Sequence, residues 1–392
     1  MNQNKVHFPG LNGIRALAAM IVIIFHTDQW SHYFGIESLG FWDKRMQTYA
    51  VILFFVLSGF LITYLLLKEK EQFHKIHYKK FYIRRILRIW PVYYTVLIVG
   101  IALLYAFPTQ IQQGPAQDLP ITLLFYSALL PNIGFMYGYF PDLIVILWSV
   151  GAEEQFYAFW PFLINKSKNV LKGLLIFLFV FLLIKYLAGT GRVSFSLFDL
   201  NSILFFMPFD CMAIGAIGAC LYNAKSKLLS VIYHPLIQIA SWTWLLYSIF
   251  IYPINLPFFI YFDKDYHALV YAILILNVAT NEKTLITLEN KVFNFLGKIS
   301  YGIYAYHFIV LFIISLVLRN FIPQIEIPFL QRLILFGSEI GATILLSYIS
   351  YTYFESWFLK RKNKYMLIKS SNETKELVEE KPKAMDNKVE QY

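Results

Sequence analysis

Apolar runs of about twenty residues recur along the chain, separated by short polar segments where lysine and arginine collect. A helix of roughly 20 residues crosses a bilayer. The runs are continuous, without the period-two alternation of a membrane barrel. The pattern predicts an all-α, polytopic transmembrane helix bundle. Ten spans are expected, at 12–30, 48–67, 91–107, 142–164, 170–188, 200–222, 229–252, 266–280, 293–318 and 330–354. The run 119–135 is shorter and contains Pro131-Asn132, so it reads as re-entrant. Irregular backbone at membrane depth is tolerated only when buried in protein or lining a cavity, which places this run near a site.

Charge supports that count. Ten crossings put Lys68–Arg88, Lys166–Lys172, Lys225–Lys227 and the segment from Lys360 on one side, as positive-inside charge requires. Both termini are then cytoplasmic and the protein is multi-pass in the cell (plasma or inner) membrane. Residues 1–359 form one transmembrane domain; 360–392, polar and mixed in charge, read as a disordered cytoplasmic tail. The first apolar run, Leu17–Phe25, lacks a small-residue cleavage site and reads as a retained helix. No internal repeat is evident.

Composition agrees with this class. Of 392 residues, 58% are hydrophobic and 15% charged, against about a quarter charged in soluble domains. The net charge of +10 lies between apolar runs, where it meets membrane lipid rather than nucleic acid. Cys211 and Cys220 share one run; helical geometry puts them ~13 Å apart, too far for a disulfide. No metal-binding pattern is present.

Against this background, "LWSVGAEEQFYAFW" (147–160) places Glu153 and Glu154 inside an apolar segment. A charge at the bilayer centre costs on the order of 3 kcal/mol on insertion scales, so both must face the bundle interior or water. Ser149, Glu153, Tyr157 and Trp160 form one helical stripe, which makes Glu153 the expected site carboxylate. Glu154 shares its face with Val150, Gly151 and Ala158 and is expected to pair with an arginine elsewhere. A purely structural role for both carboxylates is the alternative.

Three further groupings carry polar chemistry. In "GIRALAAMIVIIFH", Arg15 and His26 are eleven residues apart and share a face, at depths differing by ~16 Å. A neutral His26 can serve as general base; a packing histidine and a snorkelling arginine are the alternatives. In "FYIRRILRIWPVYY", Arg84, Arg85 and Arg88 can hold phosphate, or simply meet anionic lipid. In "GKISYGIYAYH", Ser300, Tyr304 and His307 lie on one stripe. Ser58-Gly59, in "FFVLSGFLI", marks a close helix approach.

These motifs, in this order across one polytopic chain, resemble the acyltransferase-3 family of membrane O-acyltransferases. The resemblance runs from Pro9 to about Pro161 and resumes at Gly297–His307. It implies transfer of an acyl group, commonly acetyl, from cytoplasmic acyl-CoA to a hydroxyl of a glycan or lipid-linked glycan. His26, Glu153 and Arg15 would be catalytic, with His26 as base or transient acyl acceptor. Arg84, Arg85 and Arg88 would bind the donor. Trp148, Ser149, Glu154, Gln155, Tyr157, Ser58, Tyr304 and His307 would shape the site. Gly151-Ala152 stands where the family carries a bulkier pair, which would loosen local packing. Some members add a carboxy-terminal hydrolase-like domain. None is readable in these residues, implying direct acylation or a partner enzyme that completes transfer. A proton-coupled transporter or flippase is the rival reading, and a non-catalytic membrane subunit a third.

Overall fold

The computed structural model describes residues 6–39, 45–108, 118–191, 200–250 and 261–368. Its helices are α1 (Leu11–Trp30), α2 (Arg45–Phe73), α3 (Tyr78–Ala106), α4 (Leu119–Ser127), α5 (Pro131–Met136), α6 (Leu147–Lys166), α7 (Val170–Gly189), α8 (Leu200–Phe206), α9 (Phe209–Asn223), α10 (Leu228–Ile232), α11 (Pro235–Phe250), α12 (Asp263–Thr280), α13 (Lys291–Leu318), α14 (Pro328–Ile349) and α15 (Ser356–Lys362). A π-helical turn, Ser350–Glu355, joins the last two. No β-strand occurs among the described residues, as the hydrophobic pattern requires.

Six of these helical stretches are long and apolar enough to cross a membrane, or seven if α8 and α9, bent by 42° at their break, make one span. The expected ten is therefore not confirmed. The shortfall has a chemical origin. Helix α6 carries Glu153, Glu154 and Gln155, and α12 opens on Asp263, Lys264 and Asp265; the described part of α11 is 16 residues long. The segment 119–135 folds as two short helices, α4 and α5, with Leu129 between them at φ 60°. The chain past Lys360 continues as helix to Lys362 and a further 3-10 turn; residues from 369 onward lie outside the described set.

Glycine sets the tightest crossings. A Cβ on Gly59 would lie 1.9 Å from the Met212 carbonyl oxygen, and one on Gly215 would lie 2.0 Å from that of Val56. The backbones of α2 and α9 therefore touch, as the Ser58-Gly59 motif anticipates. Gly297 lets α13 approach α1, since its Cβ would meet the Asn12 oxygen at 2.1 Å. Helices α1 and α13 run side by side from there to His26 and His307, which makes them parallel. Helix α7 stands apart: only 6% of its apolar window is buried within the protein.

Gly151 corrects an expectation. A Cβ there would strike the Pro131 ring at 2.6 Å, so this glycine tightens the docking of α5 on α6. Gln155 completes that joint: its amide and that of Asn132 exchange hydrogen bonds of 2.6 and 3.1 Å.

Candidate active site

The polar stripe of α6 meets α2 and α13 around a cavity of about 150 Å³. Arg15, Ser58, Arg85, Arg88, Ser149, Glu153, Tyr157, Ser300 and Tyr304 all line it. Tyr157 donates to the Glu153 carboxylate at 2.9 Å and also contacts the Ser58 hydroxyl. The Arg85 guanidinium lies 5.3 Å from the centre of the Tyr157 ring, within cation–π range. Ser149 and Tyr304 meet at 2.7 Å. The helical phase of α6 thus places Ser149, Glu153 and Tyr157 together on one wall of the cavity.

A second cavity, of about 230 Å³, lies against Arg15, Glu69, Arg84, Arg85, Arg88, Lys298 and Lys362. Arg15, Leu61, Arg85 and Arg88 line both spaces, so the two adjoin. Six cationic side chains against one carboxylate make the second cavity suited to a polyanion. Arg84 differs from its neighbours. It donates to Glu69 at 3.3 Å and to the Tyr365 carbonyl at 2.9 Å. The Glu69 side chain is only 2% exposed, so this ion pair, with the Tyr365 contact, holds α2, α3 and the turn Asn363–Tyr365 together.

His26 lies beyond this space. It is buried at 5% exposure and does not line the cavity that holds Glu153. Among the described residues no hydrogen bond joins His26 to Glu153; the carboxylate accepts from Tyr157. The partners of His26 are His307, whose Nε2 lies 3.0 Å from His26 Nδ1, and Gln47, whose Oε1 lies 2.6 Å from His26 Nε2. The two imidazoles stack with centroids 4.9 Å apart. His307 and Tyr304 are one turn apart on α13, and Tyr304 lines the Glu153 cavity, so these two residues connect the regions.

Glu154 also departs from expectation. Its Oε2 accepts from the Trp90 indole at 3.0 Å, and its buried Oε1 has no hydrogen-bond partner among the described residues. The indole N–H does the work assigned to an arginine. Trp148 packs edge-on to Phe55 and Phe206, and Gln155 serves the α5–α6 joint. Gln47 and Glu69 lie outside the motifs read above; Trp90 and Lys298 lie within two of them, but helical phase does not report a partner as distant in the chain as Glu154 is from Trp90. Among the described residues, no group of three or more His, Cys, Asp or Glu is placed to hold a metal.

Comparison with known proteins agrees with this architecture. The chain is 28% identical over 381 residues to "Peptidoglycan O-acetyltransferase OatA" of Listeria monocytogenes, covering 90% of this chain and 56% of that protein. It is 28% identical over 383 residues to "Putative O-acetyltransferase SAR0937" of Staphylococcus aureus, covering 93% and 59%. The chain thus spans somewhat over half the length of these curated relatives. No solved structure matches it. Residues 8–352 match the family described as "Acyltransferase domain", so the chain belongs to the acyltransferase-3 family.

Proposed function

We propose that the chain transfers an acyl group, most simply acetyl, from acyl-CoA to a glycan hydroxyl. The carrying observation is that the basic cavity and the Glu153 cavity share Arg15, Leu61, Arg85 and Arg88. A long donor with phosphates at one end and a thioester at the other fits such a pair of spaces. Its phosphates sit on Arg85 and Arg88 in the basic vestibule, assisted by Arg84. The pantetheine arm runs past Ser58 and Tyr157 toward Tyr304.

In this reading the basic vestibule faces the cytoplasm, as do both termini, and His26 lies toward the outer side. His26 acts as general base. The acceptor O–H bond breaks as its proton moves to His26, the oxygen bonds the acyl carbon, and the carbon–sulfur bond breaks. The proton then passes to the thiolate, leaving an ester and free CoA. An acyl group carried briefly on His26 gives the same balance in two steps. Glu153 and Tyr157 act one level below, as a hydrogen-bonded pair beside the thioester. The Ser149–Tyr304 contact separates the levels, so the acyl group must pass it.

The acceptor is a glycan of the peptidoglycan type, the class in the name of the Listeria relative, or a lipid-linked glycan. Direct transfer and transfer completed by a partner enzyme are both compatible with this site. Membranes containing the chain, given labelled acetyl-CoA, are expected to consume it and label glycan, with O-acetyl esters visible by mass spectrometry of surface glycans. A flippase or proton-coupled carrier would leave acetyl-CoA intact, and that result would overturn the proposal.

A further inference from the structure

Four groups on three helices form a hydrogen-bonded chain around His26. His307 Nδ1 lies 2.7 Å from the Tyr304 carbonyl. A carbonyl only accepts, so this nitrogen carries a proton. His307 Nε2 and His26 Nδ1, 3.0 Å apart, hold a second proton between them. His26 Nε2 then faces the Gln47 amide oxygen at 2.6 Å. With oxygen foremost, a third proton must lie in that gap. Three protons on two imidazoles amount to one positive charge.

The alternative arrangement is equally definite. If the Gln47 amide turns over, its NH₂ donates to His26 Nε2, and the two rings need only two protons. Those protons are then fixed: Nδ1–H on His307, Nδ1–H on His26, and a lone pair on His26 Nε2. The amide has nearly the same shape either way, so the exchange needs no repacking.

We propose that Gln47 is a positioning residue whose amide turns over with the protonation state of His26, and that Nε2 is the nitrogen through which His26 works. This inference rests on His26 being the base. Nδ1 is occupied by His307 and cannot reach a substrate. The Gln47 amide first leaves Nε2 so that the acceptor hydroxyl can take its place. Once the acceptor proton is on Nε2, the Gln47 carbonyl accepts from the new N–H, and when that proton leaves for the thiolate, the amide N–H returns. A buried charge is costly unless partnered. A reversible dipole partners both states without adding a permanent charge beside the base.

The test is the pH profile of labelled acetyl transfer in membranes, normalised to the amount of folded protein. Gln47→Glu, when ionised, can only accept, so it favours the protonated dyad. The acid limb is expected to move to higher pH by about one unit or more. Gln47→Leu supports neither state and is expected to lose roughly tenfold in rate, near the upper end for a hydrogen bond. His307→Gln keeps an acceptor for Nδ1–H and should recover most of the activity lost in His307→Phe. A Gln47→Glu profile superimposed on wild type, or full activity in Gln47→Leu, would overturn the inference. His26→Gln separates the levels. If it is inactive while both Gln47 variants behave as wild type, only the role of Gln47 fails. If it is fully active, the base assignment fails first.

Discussion

The Tyr304 hydroxyl lies 2.7 Å from Ser149 Oγ, joining α13 to α6 across the wall of the Glu153 cavity. Tyr304→Phe and Ser149→Ala each break that contact while keeping most of the packing. If the contact orders the passage toward His26, each single variant loses roughly fivefold in acyl transfer, the rate equivalent of about 1 kcal/mol. The double variant should lose little more than either single, a non-additivity that a double-mutant cycle measures.

Removing the base has a larger effect. His26→Ala is expected to lose ~10²–10⁴-fold in acetyl transfer, the usual range for a general base. The check is labelled product per unit of membrane-inserted protein. Wild-type turnover in this variant would remove His26 from the chemistry.

The three arginines should separate into two kinds. Arg85 and Arg88 line both cavities. Their alanine variants are expected to raise the KM for acetyl-CoA by about 10–100-fold, the loss of one charge-assisted hydrogen bond, with kcat changed less. Arg84→Ala leaves Glu69 without its guanidinium partner. It should lower the melting temperature of detergent-purified protein more than either of the others does. Equal KM effects without loss of stability in Arg84→Ala would contradict this division.

A buried ion cluster stands apart from the site. Lys185 on α7 contacts Asp210 on α9 and Asp265 on α12, both at 2.5 Å. Lys185→Met leaves two buried carboxylates facing one another and should destabilise by about 3–5 kcal/mol, the range for a broken buried pair. Adding Asp210→Asn and Asp265→Asn is expected to restore much of the loss, readable as recovery of monodisperse protein on size exclusion. The cluster ties the otherwise peripheral α7 to the bundle, so proteolysis in the single variant should begin around α7.

The sequence made some of these features readable and hid others for identifiable reasons. Helical phase alone groups Ser149, Glu153, Tyr157 and Trp160, and the structure keeps the first three together on the cavity. Motif order carried the family. Glu154 was assigned an arginine because sequence reports charge but not geometry; an indole from α3 fills that place. The partnership of His26 with His307 spans 281 residues, a distance no local period can express. The count of ten spans is not confirmed where helices carry the buried charges of α6 and α12, since the same residues that mark interior positions lower apparent membrane character.

The contact at Gly59 and Gly215 bears on how this protein can move. Two helices whose main chains touch have no intervening side chains to re-rotamerise, so they cannot slide or rock against one another without a steric clash. A carrier that alternates access by swinging one half across the other would need its pivot elsewhere. Substitution of Gly59 by leucine should prevent the pair from closing at all, leaving little protein that survives extraction from the membrane. The α2–α9 pair therefore behaves as one rigid body, against which any motion of the other helices must take place.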